Sequence, residues 1–399
     1  MIAKIRTYNR IAPEGLAVFG SNYQVEPELA DPSAILLRSH KLQPAQMAES
    51  LLAVGRAGAG TNNVPVEECT QRGIVVFNSP GANANAVAEL AVGILLMVLR
   101  TVPAAARFVT DFAAATDEEL EVGIEDNKKA FRGAEFYGSA LGVVGLGAIG
   151  SRLAHCAVEM GAEVYGYDPA ITVENAWRLP ANVKRCNSLK ELLSSVDAVS
   201  LHVPVLPATV DLLNAETLAC MKPGSILLNY ARGPIVQESA VLAALESGPL
   251  RMYACDFPTQ ALRHRQIESG DVFLTPHLGA STSQAEANSS VMAATQLMNF
   301  LETGCIKNSV NFPDVAMDWL TDKRIVIAND NIPSVLGGIT AELAQRSINV
   351  VDMTNKSQGQ VAWTLVDYKS DESEAFSQDL QTALSNVSGV LRVRMLERS

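Results

Sequence analysis

Apolar residues in the first eighty positions cluster in short unbroken runs at 34–37, 51–54 and 74–77. Unbroken runs of this length, closed by turn residues, predict strands buried on both faces rather than half-wet ones. Each run ends in polar or small residues: Arg38-Ser39, Gly55-Arg56-Ala57-Gly58 and Asn78-Ser79-Pro80. Strand, turn and helix repeated in this way predict an α/β layer with a parallel sheet. The pattern then lengthens, and residues 84–100 predict one long apolar helix, followed by a charged, irregular stretch over 111–138. A second series places strands at 141–144, 163–167, 198–203, 225–229, 252–255 and 272–275, with helices that include 149–160 and 237–246. Six strands so connected predict a second doubly wound parallel sheet.

After His277 the chain predicts a long helix over 284–301, ended by Gly304, and a connector over 308–322 that holds Pro313. Residues 324–396 then read strand, helix, strand, strand, helix, strand, which is the order of a ferredoxin-like unit of about 70 residues. The fold class is therefore α/β, with two doubly wound parallel-sheet domains of Rossmann or flavodoxin type and a small ferredoxin-like domain at the C-terminal end.

The second series begins with a recognisable turn. Leu141-Gly-Val-Val-Gly145-Leu-Gly147-Ala-Ile-Gly150 is a GxGxxG motif that follows a strand and opens a helix. Gly145 allows the tight turn, Gly147 the approach of a pyrophosphate, and Gly150 close packing of helix on strand. The helix start then offers free N–H groups and a partial positive charge to phosphate oxygens. The next strand ends at Asp168, where a carboxylate can accept from ribose hydroxyls. Pro169-Ala170-Ile171-Thr172 follows without a cation to hold a 2′-phosphate, so the motif points to NAD rather than NADP.

Composition narrows the partners. With 399 residues, 48% hydrophobic and 19% charged, the chain is long enough for two or three cored domains. A net charge of -12 argues against nucleic acid or an anionic membrane as the main partner. The most apolar segment, 90–99, is bounded by Glu89 and Arg100 and is too short to span a bilayer. The start, Met1-Ile2-Ala3-Lys4-Ile5, lacks a signal-peptide pattern, which sets a cytoplasmic expectation. Six scattered cysteines without CxxC or CxxH spacing predict reduced thiols and no zinc site.

Two strand ends carry further chemistry. The strand at 225–229 runs into Tyr230-Ala231-Arg232-Gly233, and the strand at 272–275 into Pro276-His277-Leu278-Gly279-Ala280-Ser281-Thr282. Hydride exchange on a 2-hydroxy acid needs a cation on the carboxylate and an acid/base at the hydroxyl. Arg232 suits the first role. Of the five histidines, His155 falls in a helix, His264 in a charged loop, and His40 and His202 after strands without a glycine run, which leaves His277 as the acid/base candidate.

Taken together, Val54-Gly-Arg-Ala-Gly58, the glycine turn with Asp168, Asn229-Tyr-Ala-Arg-Gly233 and Thr275-Pro-His-Leu-Gly-Ala-Ser-Thr282 resemble the D-isomer-specific 2-hydroxyacid dehydrogenases. Nearly the whole chain is covered. Asn308-Ser-Val-Asn-Phe-Pro313 and the terminal unit, which resembles an ACT domain, favour the branch that oxidises 3-phosphoglycerate to 3-phosphohydroxypyruvate in serine biosynthesis. The resemblance implies a discontinuous substrate domain at 1–90 and 278–315, an NAD-binding domain at 91–277 and an ACT-like domain at 322–399. It implies cofactor contacts at Gly145, Gly147, Ala148, Ile149, Gly150, Asp168, His202, Val203, Pro204, Thr209, Ala231, Arg232, Asp256, His277, Gly279 and Ala280, with Asp256 facing the nicotinamide carboxamide. Arg38, Ser39, Lys41, Arg56, Ala57 and Gly58, with Arg232 and His277, would meet the substrate's carboxylate and phosphate. Asn329, Asn331 and Asn349 would hold an amino-acid effector such as L-serine, with Ser334 in place of the usual glycine. A homodimer or homotetramer follows by the same analogy.

The sequence departs from that family at one point. Where relatives read Asp-Phe-Pro-x-Glu, this chain reads Asp256-Phe-Pro-Thr-Gln260. Glutamine can orient an imidazole but brings no negative charge to support its protonated form. Glu268 is a second acid that could stand in. Gln260 also keeps open an NAD-sensing binding protein of weak activity, and only the resemblance stands against a reductase for 2-oxoglutarate or glyoxylate.

Overall fold

The computed structural model describes residues 3–369 and 374–398. The chain opens with β1 (Ala3–Tyr8), α1 (Pro13–Leu16), β2 (Tyr23–Glu26), β3 (Ala34–Leu37), β4 (Ala53–Arg56), α2 (Val66–Gln71) and β5 (Val75–Phe77). These strands form a five-stranded parallel sheet in the order β2-β1-β3-β4-β5. The apolar-run pattern finds the three strands at 34–37, 51–54 and 74–77 but not β1 and β2. Only Ile5 of the β1 and β2 residues is buried, so these edge-side strands carry polar residues through their length. The second run is displaced by two residues. The strand extends to Arg56 because Gly55 and Arg56 pair with Leu36 and Leu37 of β3, and position 55 takes a glycine because a Cβ there would lie 2.8 Å from Leu297 Cδ1 of a covering helix.

The central segment holds α3 (Ala84–Leu99), α4 (Val102–Asp111), α5 (Asp117–Asn127), β6 (Ala140–Val144), α6 (Ala148–Glu159), β7 (Glu163–Tyr167), α7 (Val173–Trp177), β8 (Lys184–Arg185), α8 (Leu189–Ser195) and β9 (Ala198–Leu201). It continues with α9 (Ala215–Leu218), β10 (Ser225–Asn229), α10 (Glu238–Ser247), β11 (Leu250–Cys255), α11 (Gln260–Glu268) and β12 (Val272–Leu274). The sheet is seven-stranded and parallel, ordered β12-β11-β10-β9-β6-β7-β8. The added strand, β8, is two exposed residues long, too short to leave an apolar run. The stretch expected to be irregular over 111–138 is instead helical at α5. Its signal is an N-cap: the Thr116 side chain accepts from Glu119 N–H at 3.2 Å, while Glu119 Oε2 accepts from Ala115 N–H, just ahead of the cap, at 2.8 Å.

The chain ends with α12 (Ser283–Thr303), β13 (Lys323–Asp330), α13 (Val335–Gln345), β14 (Asn349–Gln358), β15 (Val361–Lys369), α14 (Glu374–Ser385) and β16 (Val390–Glu397). The last four strands pair antiparallel in the order β14-β15-β13-β16, which is the expected ferredoxin-like sheet.

Two compact units result, residues 1–83 with 283–399, and residues 84–282. Both boundaries differ from the expected 90 and 278. Helix α3 joins the second unit whole, because Val87, Ala91, Leu95 and Val98 pack with Leu141, Val143 and Leu153. The terminal sheet is not a separate body either. One apolar cluster runs from Ile5, Leu36 and Phe77 through Leu297, Phe300 and Phe312 to Val326, Trp363 and Leu365.

Polar contacts reinforce this union. Helix α12 has no basic residue in its last turn to meet its own bare carbonyls. Side chains of the terminal sheet take their place. Arg394 Nη2 donates to Leu301 O at 2.8 Å, Arg324 Nη1 to Thr303 O at 3.0 Å, and Trp363 Nε1 to Gly304 O at 3.0 Å. Arg324 is fully buried and also donates to both carboxylate oxygens of buried Asp367, at 2.6 and 3.0 Å. Among the described residues no single helix is long and apolar enough to cross a membrane.

Candidate functional site

All seven strands of the second unit are parallel, so their carboxyl ends lie along one edge. The chain leaves β6 toward β7 and β8, then returns to β9 on the other side, so the topology switches between β6 and β9. Ligands collect at such a point. Along this edge, from one end, stand His277 after β12, Asp256 after β11, Arg232 after β10, His202 after β9, the Gly145 turn after β6 and Asp168 after β7.

The turn after β6 has the shape a phosphate needs. Gly145 has φ +90°, and a Cβ there would lie 2.8 Å from the His202 carbonyl. A Cβ on Gly150 would fall 1.9 Å from Gly145 O, whereas one on Gly147 would meet nothing within 4 Å. Gly147 is the N-cap of α6 and brings no side chain to the helix start, so open space faces its first N–H groups. Ala148 and Ile149 form that first turn. Asp168 Oδ2 accepts from Leu146 N–H at 2.8 Å and its Oδ1 from Ala170 N–H at 2.9 Å. The carboxylate thus braces the glycine turn and keeps lone pairs for a diol. This donor and acceptor set fits a dinucleotide.

After β9, Thr209 ties down the loop: its Oγ1 accepts from Leu206 N–H at 2.8 Å and donates to Pro204 O at 2.6 Å. Val203 is half-buried beside the Gly145 turn, its Cγ1 2.8 Å from where a Cβ of Gly145 would lie. His202 Nε2 shares a 2.8 Å hydrogen bond with Ser200 Oγ, while its Nδ1 is buried without a partner. Burial pushes this imidazole down from 6.5 to about 4. Below pH 6.5 the unfolded chain takes a proton that folded His202 refuses until about pH 4. Stability is therefore lost as pH falls through that window, by roughly 3 kcal/mol. Urea midpoints of His202→Gln should fall less than those of the parent between pH 6.5 and 4.

Asn229 shapes the turn after β10. Its Oδ1 accepts from Ala231 N–H at 3.2 Å and its Nδ2 donates to Arg232 O at 2.9 Å. Ala231 is buried, and Arg232 extends into solvent with Nη1 donating to Ala231 O at 2.7 Å. Asp256 is buried, with its carboxylate turned into the loop that carries His277. His277 is exposed, adopts a left-handed φ of +57°, and sets its ring edge-on to Phe257 at 5.4 Å. Gly279 is buried against Asp256, and Ala280 is exposed.

Gln260 opens α11 and is exposed, and among the described residues its amide joins no hydrogen bond. The other acid considered, Glu268, belongs to the end of that helix and pairs with His264 at 3.0 Å. His264 is thus helical rather than in a loop, and Glu268 is engaged with it one turn away. Helix α11 was missed because its apolar positions are sparse, with Leu262 its one buried residue. Its N-cap is readable all the same: Thr259 Oγ1 accepts from Leu262 N–H at 3.2 Å.

In the first unit, β3 and β4 are neighbours; Arg38 follows the end of β3, and β4 ends in Arg56. Asn9 Oδ1 accepts from Ser39 N–H at 3.1 Å, and Lys41 is exposed just beyond. Ala57 is buried and donates its N–H to Leu37 O at 2.8 Å. Gly58 has φ +144°, and a Cβ on it would sit 1.6 Å from Arg56 Nη1, so the end of the guanidinium occupies the space a side chain there would need. Arg38 Nη2 meets Glu286 Oε1 of α12 at 2.5 Å, with both side chains about 40% exposed. A pair that open to water contributes little, which leaves Arg38 able to exchange partners. Neither Asn9 nor Glu286 was picked out by sequence, since both act from distant segments.

The terminal asparagines lie apart in character. Asn329 is buried, with Oδ1 accepting from Thr364 Oγ1 at 3.1 Å and Nδ2 donating to Asp330 O at 2.8 Å. Asn331 and Asn349 are exposed, and Asn331 Nδ2 donates to Gly359 O at 3.0 Å. Ser334 holds φ +75°, a conformation that favours glycine.

Residues 92–279 match the family described as D-isomer specific 2-hydroxyacid dehydrogenase, NAD binding domain. The chain is 35% identical over 385 residues to a D-3-phosphoglycerate dehydrogenase of Haemophilus influenzae, covering 94% of this chain and 88% of that one. It is 34% identical over 384 residues to the enzyme of that name from Escherichia coli K12, covering 94% and 89%. Among solved structures, the NAD+-bound 3-phosphoglycerate dehydrogenase of Entamoeba histolytica superposes with a TM-score of 0.60 at 25% identity, covering 78% of this chain and 99% of that one.

Proposed function

The chain belongs to the D-isomer-specific 2-hydroxyacid dehydrogenases, and from that membership we propose that it oxidises 3-phospho-D-glycerate to 3-phosphohydroxypyruvate, using NAD, as the first step of phosphorylated L-serine biosynthesis. The observation that carries this reading is the row of Arg232, Asp256 and His277 on adjacent strand ends, beside a glycine turn shaped for a dinucleotide. Bound NAD supplies the acceptor for the hydride that leaves C2 of the substrate. Gly147 and the first N–H groups of α6 hold the pyrophosphate, and Asp168 the ribose hydroxyls. Arg232 pairs with the substrate carboxylate and polarises the C2 oxygen. His277 takes the C2 hydroxyl proton in oxidation and returns it in reduction.

In the first unit we assign Arg38, Ser39, Lys41, Arg56, Ala57 and Gly58 to the substrate's anionic groups. Arg suits bidentate contact with phosphate, while Lys41 acts as a point charge. Gln260, exposed and unbonded, favours one alternative: an NAD-binding protein of weak activity. An assay of NADH oxidation against 3-phosphohydroxypyruvate, 2-oxoglutarate and glyoxylate separates the readings. Turnover should be fastest with the phosphorylated acid. Preference for either unphosphorylated acid would reassign the substrate, and no turnover on any would leave NAD binding as the activity.

A further inference from the structure

The loop that carries His277 is fastened by one buried carboxylate. Asp256 Oδ1 accepts from Thr275 Oγ1 at 2.5 Å and from Leu278 N–H at 2.8 Å, and Oδ2 accepts from Gly279 N–H at 2.8 Å. These three donors straddle His277, two residues before it and one and two residues after. His277 itself stands at φ +57°, a backbone state that costs a residue with a Cβ roughly 1–2 kcal/mol. Such a state persists only where its surroundings over-determine it. The flanking contacts to Asp256 do so, and the Phe257 ring meets the imidazole edge-on, 5.4 Å between centroids.

We propose that Thr275 is a positioning residue for the reaction: its hydroxyl locks the Asp256 carboxylate in the rotamer that receives Leu278 and Gly279, and so sets the aim of the His277 ring. Thr275 is nearly buried and its side chain points at Asp256 and at Cys255 O, 3.4 Å away. It acts only through its neighbours. An O–H···O⁻ bond of this length is charge-assisted and among the strong ones. Without it Asp256 Oδ1 keeps one donor, and the carboxylate can turn away from the amides behind His277. General acid–base transfer depends on alignment to within about an ångström, and misplacement on that scale costs about 10²-fold.

The proposal rests on the dehydrogenase reading, so its test has one arm that needs turnover and one that does not. Thr275→Val should lower kcat about 10- to 100-fold, with KM and NADH affinity near the parent's, and should raise the solvent isotope effect on kcat as proton transfer becomes limiting. Thr275→Ser, which keeps the hydroxyl, should restore all three. In the second arm, hydrogen–deuterium exchange of the segment 272–282 should quicken in Thr275→Val and Asp256→Asn but not in Thr275→Ser. An unchanged kcat in Thr275→Val, or a serine variant as impaired as valine, overturns the proposal. Unchanged exchange in both substitutions also overturns it, whether or not the parent turns over. A parent with no turnover but quickened exchange would sink the dehydrogenase reading and keep the fastening of the loop.

Discussion

Replacing His277 with alanine lowers kcat for 3-phosphohydroxypyruvate by about 10²–10⁴-fold, the range a positioned general acid supplies. The ring is exposed and its one described ring contact is Phe257, so its loss opens no core cavity and removes no buried hydrogen bond. Thermal stability should therefore hold or fall slightly, because alanine bears the left-handed backbone no better than histidine and nothing else is lost. NADH affinity, carried by the Gly145 turn and Asp168 further along the edge, should stay close to the parent's. The checking experiment is single-turnover NADH oxidation at saturating cofactor, with fluorescence titration of NADH alongside. A kcat within threefold of the parent, roughly 0.6 kcal/mol in barrier, would remove His277 from the mechanism. His277→Asn is the more informative second variant, since asparagine tolerates a positive φ and should keep the loop while losing the proton.

The largest stability effect is expected at Arg324. Its guanidinium is fully buried and forms a two-point pair with Asp367, which is equally buried. Removing one partner of such a pair strands a charge in a low dielectric, at a cost of about 3–5 kcal/mol. Arg324 also donates to Thr303 O, Met317 O and Asp318 O, so Arg324→Ala strips those carbonyls as well. Urea unfolding should show a correspondingly early transition, and Trp363 and Trp319 report on it directly. Trp363 lies in the shared core, and Arg324 sits 4.9 Å above the Trp319 ring. Arg324→Met with Asp367→Leu should recover the part owed to the stranded charge and not the part owed to the carbonyls. A double variant as weak as Arg324→Ala would show that capping, not the ion pair, dominates.

Much of this arrangement is legible in the sequence, for reasons that differ by element. Buried parallel strands such as β3, β9 and β10 announce themselves as apolar runs, since both faces are covered. The glycine turn is legible because each of its glycines answers a different steric demand. Arg232 and His277 are legible as polar residues at strand ends. Half-wet strands β1 and β2 are not, because polar side chains interrupt their pattern. Helices α5 and α11 bury too few residues to show a stripe, although Thr116 and Thr259 marked their starts. Partnerships across long sequence gaps leave no local trace: Glu286 with Arg38, Asp256 with Gly279, and Arg324 with the end of α12. The union of the terminal sheet with the first unit was missed for the same reason. A ferredoxin-like pattern says how its strands pair, not what lies against the second face of the sheet.

That second face limits how the protein can be cut. A chain stopped at the connector, before Lys323, would leave Phe300 and Phe312 without Trp363 and the carbonyls of residues 301, 303 and 304 without donors. The fragment would present a sticky apolar wall beside a frayed helix, a surface that invites association and proteolysis. Recombination with a relative's tail would meet the same obstacle, unless the exchanged piece brought arginines at the places of Arg324 and Arg394 together with the closing turn of α12. The exchangeable segment for protein engineering thus begins near residue 297, some twenty-five residues ahead of the point where the strand-and-helix pattern changes.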